Sequence, residues 1–130
     1  MKSEILPHLY IGDSTDAKEF KGHLICVLEG ILDDEPPHAM WVPVFETHGA
    51  EVTHAKIPQL ELVCLAIQRY LSLEEDVMIH CGAGMERSPL TVIYFLHKYR
   101  DMGLEEAWQY VKRHRPASLN RLQWLRESQP

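Results

Sequence analysis

Short apolar runs alternate along this chain with longer stretches in which apolar side chains follow helical spacing. The apolar runs at 24–28, 40–44 and 77–79 have the length and composition of buried strands. Residues 60–71 carry apolar side chains at intervals of three and four, which predicts an amphipathic helix beginning behind Pro58. Strands separated by helices predict an α/β fold, with a central, mainly parallel β-sheet flanked by helices.

Three further helices are predicted in the second half of the chain. The first covers about 87–102, and Gly103 is expected to cap its C-terminus. The second covers Leu104 to His114 and is ended by Pro116, and a last short helix covers 118–127. The chain is therefore expected to end in helices that follow the last strand.

Length and composition are those of one globular domain. The 130 residues are enough for a single compact domain over 1–130, and 45% of them are hydrophobic while 25% are charged. No run of 18 apolar residues occurs, and no apolar stretch follows Lys2, so neither a membrane span nor a signal peptide is expected. A cytoplasmic location is therefore expected. The net charge of -6 argues against nucleic acid and against anionic membranes as partners.

The three cysteines lie far apart in the sequence and have neither a disulfide framework nor a zinc-site spacing. We therefore expect reduced thiols and no metal. Cys26 and Cys64 are expected to fill the core, as buried free cysteines commonly do. A second possibility is that one of them is a redox partner for Cys81.

The strongest chemical signal is the segment 79–89, which reads IHCGAGMERSP. Its backbone N–H groups can curl inward as an anion-binding nest, with the N-terminus of the following helix directed at the same point. Such surroundings favour Cys81 as a thiolate nucleophile, and the planar fork of Arg87 matches two phosphate oxygens. Gly82 and Gly84 are expected to allow close approach of the anion and positive φ. The expected phosphate-binding residues are Gly82, Ala83, Gly84, Met85, Glu86 and Arg87.

With this motif the chain resembles the dual-specificity branch of the protein tyrosine phosphatase superfamily, and the resemblance covers nearly all of it. Residues 5–12 resemble the opening strand pair of that family, and residues 103–116 resemble its penultimate helix. The resemblance implies a central sheet that carries the loop, a cysteinyl-phosphate intermediate, and a carboxylic acid delivered by a separate loop. No cofactor and no metal are expected, because the loop itself supplies the positive potential.

The position of the acid departs from the family pattern. The family places Asp three residues after a proline that ends the preceding strand, and here Pro43 is followed at that distance by Glu46. The resemblance therefore implies Glu46 as the general acid, although a surface charge on a loop is an alternative. His48 and Glu51 on the same expected loop, and Glu86 before the arginine, are the other candidates.

Ser88, His80, Glu86 and Asn120 are polar residues for which a structural role is an alternative to a role in the site. The resemblance implies that the hydroxyl of Ser88 is a catalytic group that hydrogen-bonds the sulfur of Cys81, but Ser88 is also a possible helix N-cap. His80 either orients the loop or is a buried structural histidine. Glu86 is expected to point outward toward a neighbouring loop or helix, and Asn120 to cap a helix rather than to act in the site.

The function implied is metal-independent hydrolysis of phosphomonoesters, on phosphotyrosine and on phosphoserine or phosphothreonine in proteins. Phosphate, vanadate and tungstate are the expected site ligands, and the chain is expected to be a monomer with no nucleic-acid or membrane partner. One alternative is a phosphate-binding pseudophosphatase or adaptor with weak turnover. Another is a non-protein substrate such as phosphoglucan, because residues 83–85 resemble the glucan phosphatases. The loop interior carries no Lys or Arg, which disfavours polyphosphorylated lipid.

Overall fold

The structure, a computed structural model, describes residues 1–30, 35–48 and 51–126, without the side chains at 47, 48, 51–53 and 126. The strands are β1 (Ser3–Leu6), β2 (Leu9–Gly12), β3 (His23–Cys26), β4 (Met40–Trp41), β5 (Phe45–His48), β6 (Glu51–Ala55) and β7 (Val77–His80). The helices are α1 (Ser14–Glu19), α2 (Ile57–Ser72), α3 (Arg87–Tyr99), α4 (Leu104–His114) and α5 (Leu122–Arg126). Within these ranges no helix combines the length and the apolar character needed to cross a membrane.

The predicted mainly parallel sheet is confirmed. Its strands lie in the order β1-β2-β7-β3-β4. β7 runs parallel to both of its neighbours, β4 runs parallel to β3, and only β1 is antiparallel to its partner. All four residues of β7 are buried, as expected for a central strand covered on both faces.

Helices cover both faces of this sheet. Val77 and Ile79 of β7 belong to the larger core, to which α2, α3 and α4 contribute buried residues such as Leu60, Phe95 and Val111. The intervening Met78 points to the opposite face, where it packs with Leu24 and with Ala17 of α1. Successive side chains of a strand point to opposite faces, so a single strand supplies both cores. The flanking helices predicted from the sequence are confirmed.

The carboxyl ends of the parallel strands meet at one edge of the sheet. β7 ends there at His80 and β3 at Cys26, and the Val27 N–H donates to the His80 carbonyl at 3.0 Å just beyond the strands. This bond holds the segment after β3 beside the segment after β7. In parallel α/β sheets this edge is where ligands bind.

The boundary between the third and fourth helices differs from the prediction. Gly103 does not cap α3: the helix ends at Tyr99 with Arg100 as its C-cap, and Gly103 is instead the N-cap of α4, with φ −63°. Asp101 supplies the left-handed conformation of this turn, with φ 55°. A short polar side chain tolerates that conformation, so the turn does not require a glycine at its C-terminal end.

Two elements were not predicted from the sequence. α1 has only six residues, and a capping box between Asp13 and Asp16 stabilises its start. The segment expected to be a loop around Glu46 forms an antiparallel hairpin, in which Phe45 pairs with Ala55 and Glu46 with His54. The hairpin is a separate two-stranded sheet and not part of the central one.

Candidate active site

Strand β7 places Cys81 at the base of a small pocket. Cys81 follows the last residue of the strand, α3 begins at Arg87, and the Cys81 residue is only 3% exposed. The pocket has a volume of about 130 Å³. Its lining residues are Leu28, Cys81, Gly82, Ala83, Met85, Glu86 and Arg87. Of the expected phosphate-binding residues, only Gly84 is absent from this lining.

Gly84 lies on the side of the loop that faces away from the pocket, and its conformation requires a glycine. Its φ is +69°, and a Cβ atom there would lie 2.6 Å from Nη2 of Arg115 and 2.7 Å from the carbonyl oxygen of Gly12. Gly82 differs: its φ is not positive, and a Cβ atom there would meet no atom of a described residue within 4 Å. The expectation of positive φ is therefore confirmed for Gly84 and wrong for Gly82.

Four of the five carbonyl groups between Cys81 and Arg87, those of residues 82–85, are held by donors from outside the loop. Ser14 N–H, at the start of α1, donates to the Gly82 carbonyl at 3.0 Å, and Leu119 N–H donates to the Met85 carbonyl at 2.8 Å. Arg115 supplies the other two bonds, from Nε to the Gly84 carbonyl at 2.7 Å and from Nη2 to the Ala83 carbonyl at 3.5 Å. Three separate parts of the chain thus fix the orientation of the loop peptides.

This orientation determines where the loop amides point. In a trans peptide the N–H group lies opposite the carbonyl of the preceding residue. Carbonyls directed outward at 82–85 therefore direct the N–H groups of 83–86 toward the pocket. Among the described residues these four amides have no hydrogen-bond acceptor. Converging amides at the start of α3 have the arrangement of an anion-binding nest, and the binding of an anion there stays a prediction.

Arg87 is oriented by Glu29, a residue that the sequence analysis did not single out. Nε of Arg87 donates to both carboxylate oxygens of Glu29, at 2.8 and 2.9 Å. Among the described residues the pairing engages only Nε of Arg87, which leaves the two terminal nitrogens able to bind two oxygens of a tetrahedral anion. Glu29 follows β3 at the carboxyl edge of the sheet, and that position was the available signal for its role.

Arg115 is the second residue that sequence reasoning missed. The residue is 6% exposed, and Nη1 also donates to the Met1 carbonyl at 2.7 Å and to Ser3 Oγ at 3.0 Å. None of its hydrogen bonds to a described residue goes to a carboxylate. A buried guanidinium paired with neutral acceptors leaves a net positive charge directly behind the loop from Cys81 to Arg87. No sequence pattern distinguishes this arginine from a surface one.

Glu86 lies between the pocket and the last helix. Its carboxylate accepts a hydrogen bond from Nε of Arg121 at 2.8 Å, so its negative charge is paired outside the loop. This agrees with the expectation that Glu86 points toward a neighbouring element. Asn120 caps α5 as expected, because its Oδ1 accepts from the Leu122 N–H at 3.0 Å.

Ser88 and His80 are both fully buried beside the loop. Ser88 is the second residue of α3 and not its N-cap, which corrects one of its two interpretations. Its Oγ makes no hydrogen bond to a described residue, so its bond to the Cys81 sulfur stays a prediction. His80 Nε2 lies 3.0 Å from Glu35 Oε2, and burial lowers the pKa of the His80 imidazole.

The candidate acids on the hairpin lie apart from the Cys81 pocket. Glu46 is half exposed and lies 3.7 Å from Nζ of Lys56, in a separate depression that it lines together with His54. His48 and Glu51 face each other across the hairpin backbone, and their side chains lie outside the described part of the structure. Hence the structure groups Cys81, Arg87 and the loop residues, but not Glu46.

Comparison with known proteins agrees with this geometry. Residues 13–129 match the family described as dual specificity phosphatase, catalytic domain. A solved mouse dual specificity phosphatase, complexed with zinc tungstate, superposes with a TM-score of 0.76 and 25% identity, over 97% of this chain and 82% of that one. The human tyrosine phosphatase-like serine/threonine/tyrosine-interacting protein has the same fold, with a TM-score of 0.75, 19% identity, and coverage of 97% of this chain and 91% of that one.

Two relatives extend the comparison at the sequence level. Dual specificity protein phosphatase 5 of Rattus norvegicus is 31% identical over 124 residues, which cover 86% of this chain and 30% of the relative. Phosphatidylglycerophosphate phosphatase PTPMT1 of Arabidopsis thaliana is 37% identical over 116 residues, which cover 81% of this chain and 34% of the relative. The chain therefore spans about a third of the length of these two relatives.

Replacing Arg115 should weaken oxyanion binding. Arg115→Met removes the donors to two loop carbonyls and a buried charge, so we expect tungstate to bind about 10- to 100-fold more weakly, as for the loss of charged hydrogen bonds. Isothermal titration calorimetry measures this directly. Arg115→Lys, which keeps the charge but not the fork, should lose less. Arg113→Met is the matched control, because Arg113 is exposed in the last turn of α4, two residues before Arg115. A folded Arg115→Met variant with unchanged affinity would contradict this role.

Proposed function

Because this chain belongs to the catalytic-domain family of dual specificity phosphatases, we propose that it hydrolyses phosphomonoesters through a cysteinyl-phosphate intermediate. The orientation of the loop peptides is the main support for this proposal. The carbonyls of residues 82–85 are held outward, so that four amides and Arg87 surround the space above Cys81. A tetrahedral dianion complements that space in both shape and charge.

The proposed reaction has two displacements at phosphorus. In the first, the thiolate of Cys81 forms a bond to phosphorus while the bond to the ester oxygen breaks, and an acid gives its proton to the departing oxygen. In the second, water attacks the same phosphorus, the S–P bond breaks, and the carboxylate formed in the first step takes a proton from the water. Inorganic phosphate leaves, and both the thiolate and the acid are restored.

The loop and Arg87 supply the electrostatic part of the catalysis. The equatorial oxygens of the transferring phosphoryl group gain hydrogen bonds from the amides of 83–86 and from the terminal nitrogens of Arg87. Glu29 fixes the plane of that guanidinium. The proposed Ser88 hydroxyl bond to sulfur would make Cys81 a better leaving group in the second step, and the full burial of Ser88 beside the loop supports it.

We retain Glu46 as the proposed general acid. A chain of contacts from the loop to the hairpin that carries Glu46 supports this role. Glu86 bonds Arg121, and the Arg121 guanidinium lies 5.6 Å from the ring centre of Trp124. The Trp124 ring in turn meets Phe45 edge to face, with ring centres 5.4 Å apart. Phe45 is the neighbour of Glu46. To act as the acid, Glu46 must leave Lys56 and reach the pocket when substrate binds. His48, Glu51 and Glu86 remain the alternatives.

The proposed substrates are phosphotyrosine and phosphoserine or phosphothreonine in proteins. The pocket is small, about 130 Å³, which supports a site that encloses the phosphoryl group and leaves the leaving group outside. Such a site would accept several kinds of leaving group. Identity of 37% to a phosphatidylglycerophosphate phosphatase favours a second candidate, a phosphomonoester that is not part of a protein. A panel of phosphopeptides, phosphatidylglycerophosphate and phosphoglucan, assayed with wild type and Cys81→Ser, distinguishes the two. The pseudophosphatase alternative predicts a stoichiometric burst without turnover.

The proposal also covers the domain organisation, the oligomeric state, the compartment and the ligands of the chain. We propose residues 1–130 as one phosphatase domain, a monomer without a nucleic-acid or membrane partner. Its three cysteines are free thiols, which supports a reducing compartment such as the cytoplasm. Phosphate, vanadate and tungstate are the proposed ligands of the loop.

Removing the nucleophile should separate binding from catalysis. Cys81→Ser is expected to abolish hydrolysis of an aryl phosphate, since an alcohol is not ionised at neutral pH, yet it should still bind tungstate. Arg87→Lys should lose on the order of 10²- to 10³-fold in kcat/KM, because an ammonium cannot make two parallel hydrogen bonds. Cys64→Ala, on α2, is the control that should stay active. Sustained turnover by Cys81→Ser would disprove the nucleophile assignment.

Leaving-group chemistry tests Glu46. If Glu46 protonates the departing oxygen, Glu46→Gln should reduce kcat for phosphoserine on the order of 10²-fold, and should reduce it much less for an activated aryl phosphate. Measured kcat values for both substrates check this. Equal activity on both substrates, together with a selective loss in Glu86→Gln or His48→Asn, would place the acid elsewhere.

A further inference from the structure

Three potential metal ligands lie together beneath the catalytic loop. Cys26 and His80 are register partners on the adjacent parallel strands β3 and β7, so their side chains project from the same face of the sheet. Glu35 lies against them, with its Oε2 at 3.0 Å from Nε2 of His80. One ligand atom from each of the three residues lies within 4.8 Å of the other two.

This cluster is buried, and most of its polar atoms have no hydrogen-bond partner in the part of the chain that the structure describes. The residues Cys26 and His80 are 0% exposed, and the side chain of Glu35 is 6% exposed. Both carboxylate oxygens of Glu35 and both ring nitrogens of His80 lack a hydrogen-bond partner among the described residues. Although His80 and Glu35 approach to 3.0 Å, the angles do not make that contact a hydrogen bond. Buried polar atoms without partners are costly, so a group that binds all three residues would stabilise this region.

We propose that Cys26, Glu35 and His80 form a binding site for one divalent transition-metal ion, with Zn²⁺ as the best match. A thiolate, an imidazole and a carboxylate are the three ligand types that Zn²⁺ takes in proteins. The soft sulfur and the imidazole disfavour Mg²⁺ and Ca²⁺, which select oxygen ligands. The three residues supply three of the four ligands of a tetrahedral Zn²⁺ site, and the proposed fourth ligand is a water molecule.

Metal binding here leaves the phosphate chemistry to the loop. Cys26 loses its proton to solvent as its sulfur binds the ion, and His80 binds as the neutral imidazole, so the bound form carries two anionic ligands against the two positive charges. His80 immediately precedes Cys81, and Cys26 immediately precedes the segment that carries Glu29. The ion would therefore tie together the two strand ends that hold the nucleophile and the partner of Arg87.

The spacing of the three cysteines predicts no zinc site. Cysteine spacing alone cannot reveal a site that also uses a glutamate and a histidine. The present site uses a single cysteine with a glutamate nine residues later and a histidine 54 residues after Cys26. Only the pairing of β3 with β7 brings Cys26 to His80.

Cobalt and zinc titrations of four variants test this site without relying on activity. Co²⁺ bound to wild type should show the sulfur-to-cobalt charge-transfer absorption, and Zn²⁺ should displace it at one equivalent. Cys81→Ser should keep both properties, since the catalytic sulfur is not a ligand. Cys26→Ala should lose the charge-transfer band, and Glu35→Gln should weaken Zn²⁺ binding on the order of 10-fold or more. Cys64→Ala, a buried cysteine on α2, is the matched control and should bind like wild type.

Circular dichroism without metal establishes which variants are folded. Among folded variants, Zn²⁺ should raise the melting temperature of wild type, Cys81→Ser and Cys64→Ala, and should leave that of Cys26→Ala unchanged. Loss of binding in Cys81→Ser with retention in Cys26→Ala would place the metal on the catalytic thiolate and overturn the proposal. Absence of one-equivalent binding to reduced wild type would overturn it as well.

Discussion

The hydrogen bonds that hold four loop carbonyls outward are the constraint on which the rest of the site depends. A loop of this length has no intrinsic reason to point successive N–H groups to one side, because each peptide can rotate. Donors from Ser14, Leu119 and Arg115 remove that freedom before any anion arrives. The loop peptides are therefore oriented by the protein itself, and the proposed binding of an oxyanion would not require them to turn.

The fold brings these donors to the loop from three distant places. α1 presents its first N–H because a capping box fixes its start one residue earlier. Arg115 follows α4, which packs on α3 and on β1, so its guanidinium reaches under the loop toward the N-terminal strands. The close approach of Gly84 to Arg115 and to Gly12 explains why a side chain at Gly84 would displace the whole arrangement. Packing of the helices on the sheet is thus what orients the loop.

Local sequence identified the residues that line the pocket better than it identified the residues that support them. The loop from Cys81 to Arg87 is contiguous, so its spacing and glycines could be interpreted without a structure. Glu29 and Arg115 act across 58 and 31 residues, and no local pattern records such contacts. Gly103 was assigned to the wrong helix for a different reason. A glycine between two helices can cap either the C-terminus of the first or the N-terminus of the second. The position of Glu46 relative to Cys81 depends on how a separate hairpin packs, which spacing after a proline does not determine.

The most direct test of this account is a pair of crystal structures of Cys81→Ser, one without an oxyanion and one with tungstate. We expect the carbonyls of 82–85 to keep their outward hydrogen bonds in both crystals. We also expect the amides of 83–86 and the terminal nitrogens of Arg87 to donate to the tungstate oxygens. Carbonyls that point into the pocket in the oxyanion-free crystal, or tungstate bound without these amides, would contradict the central claim that the loop is preorganised.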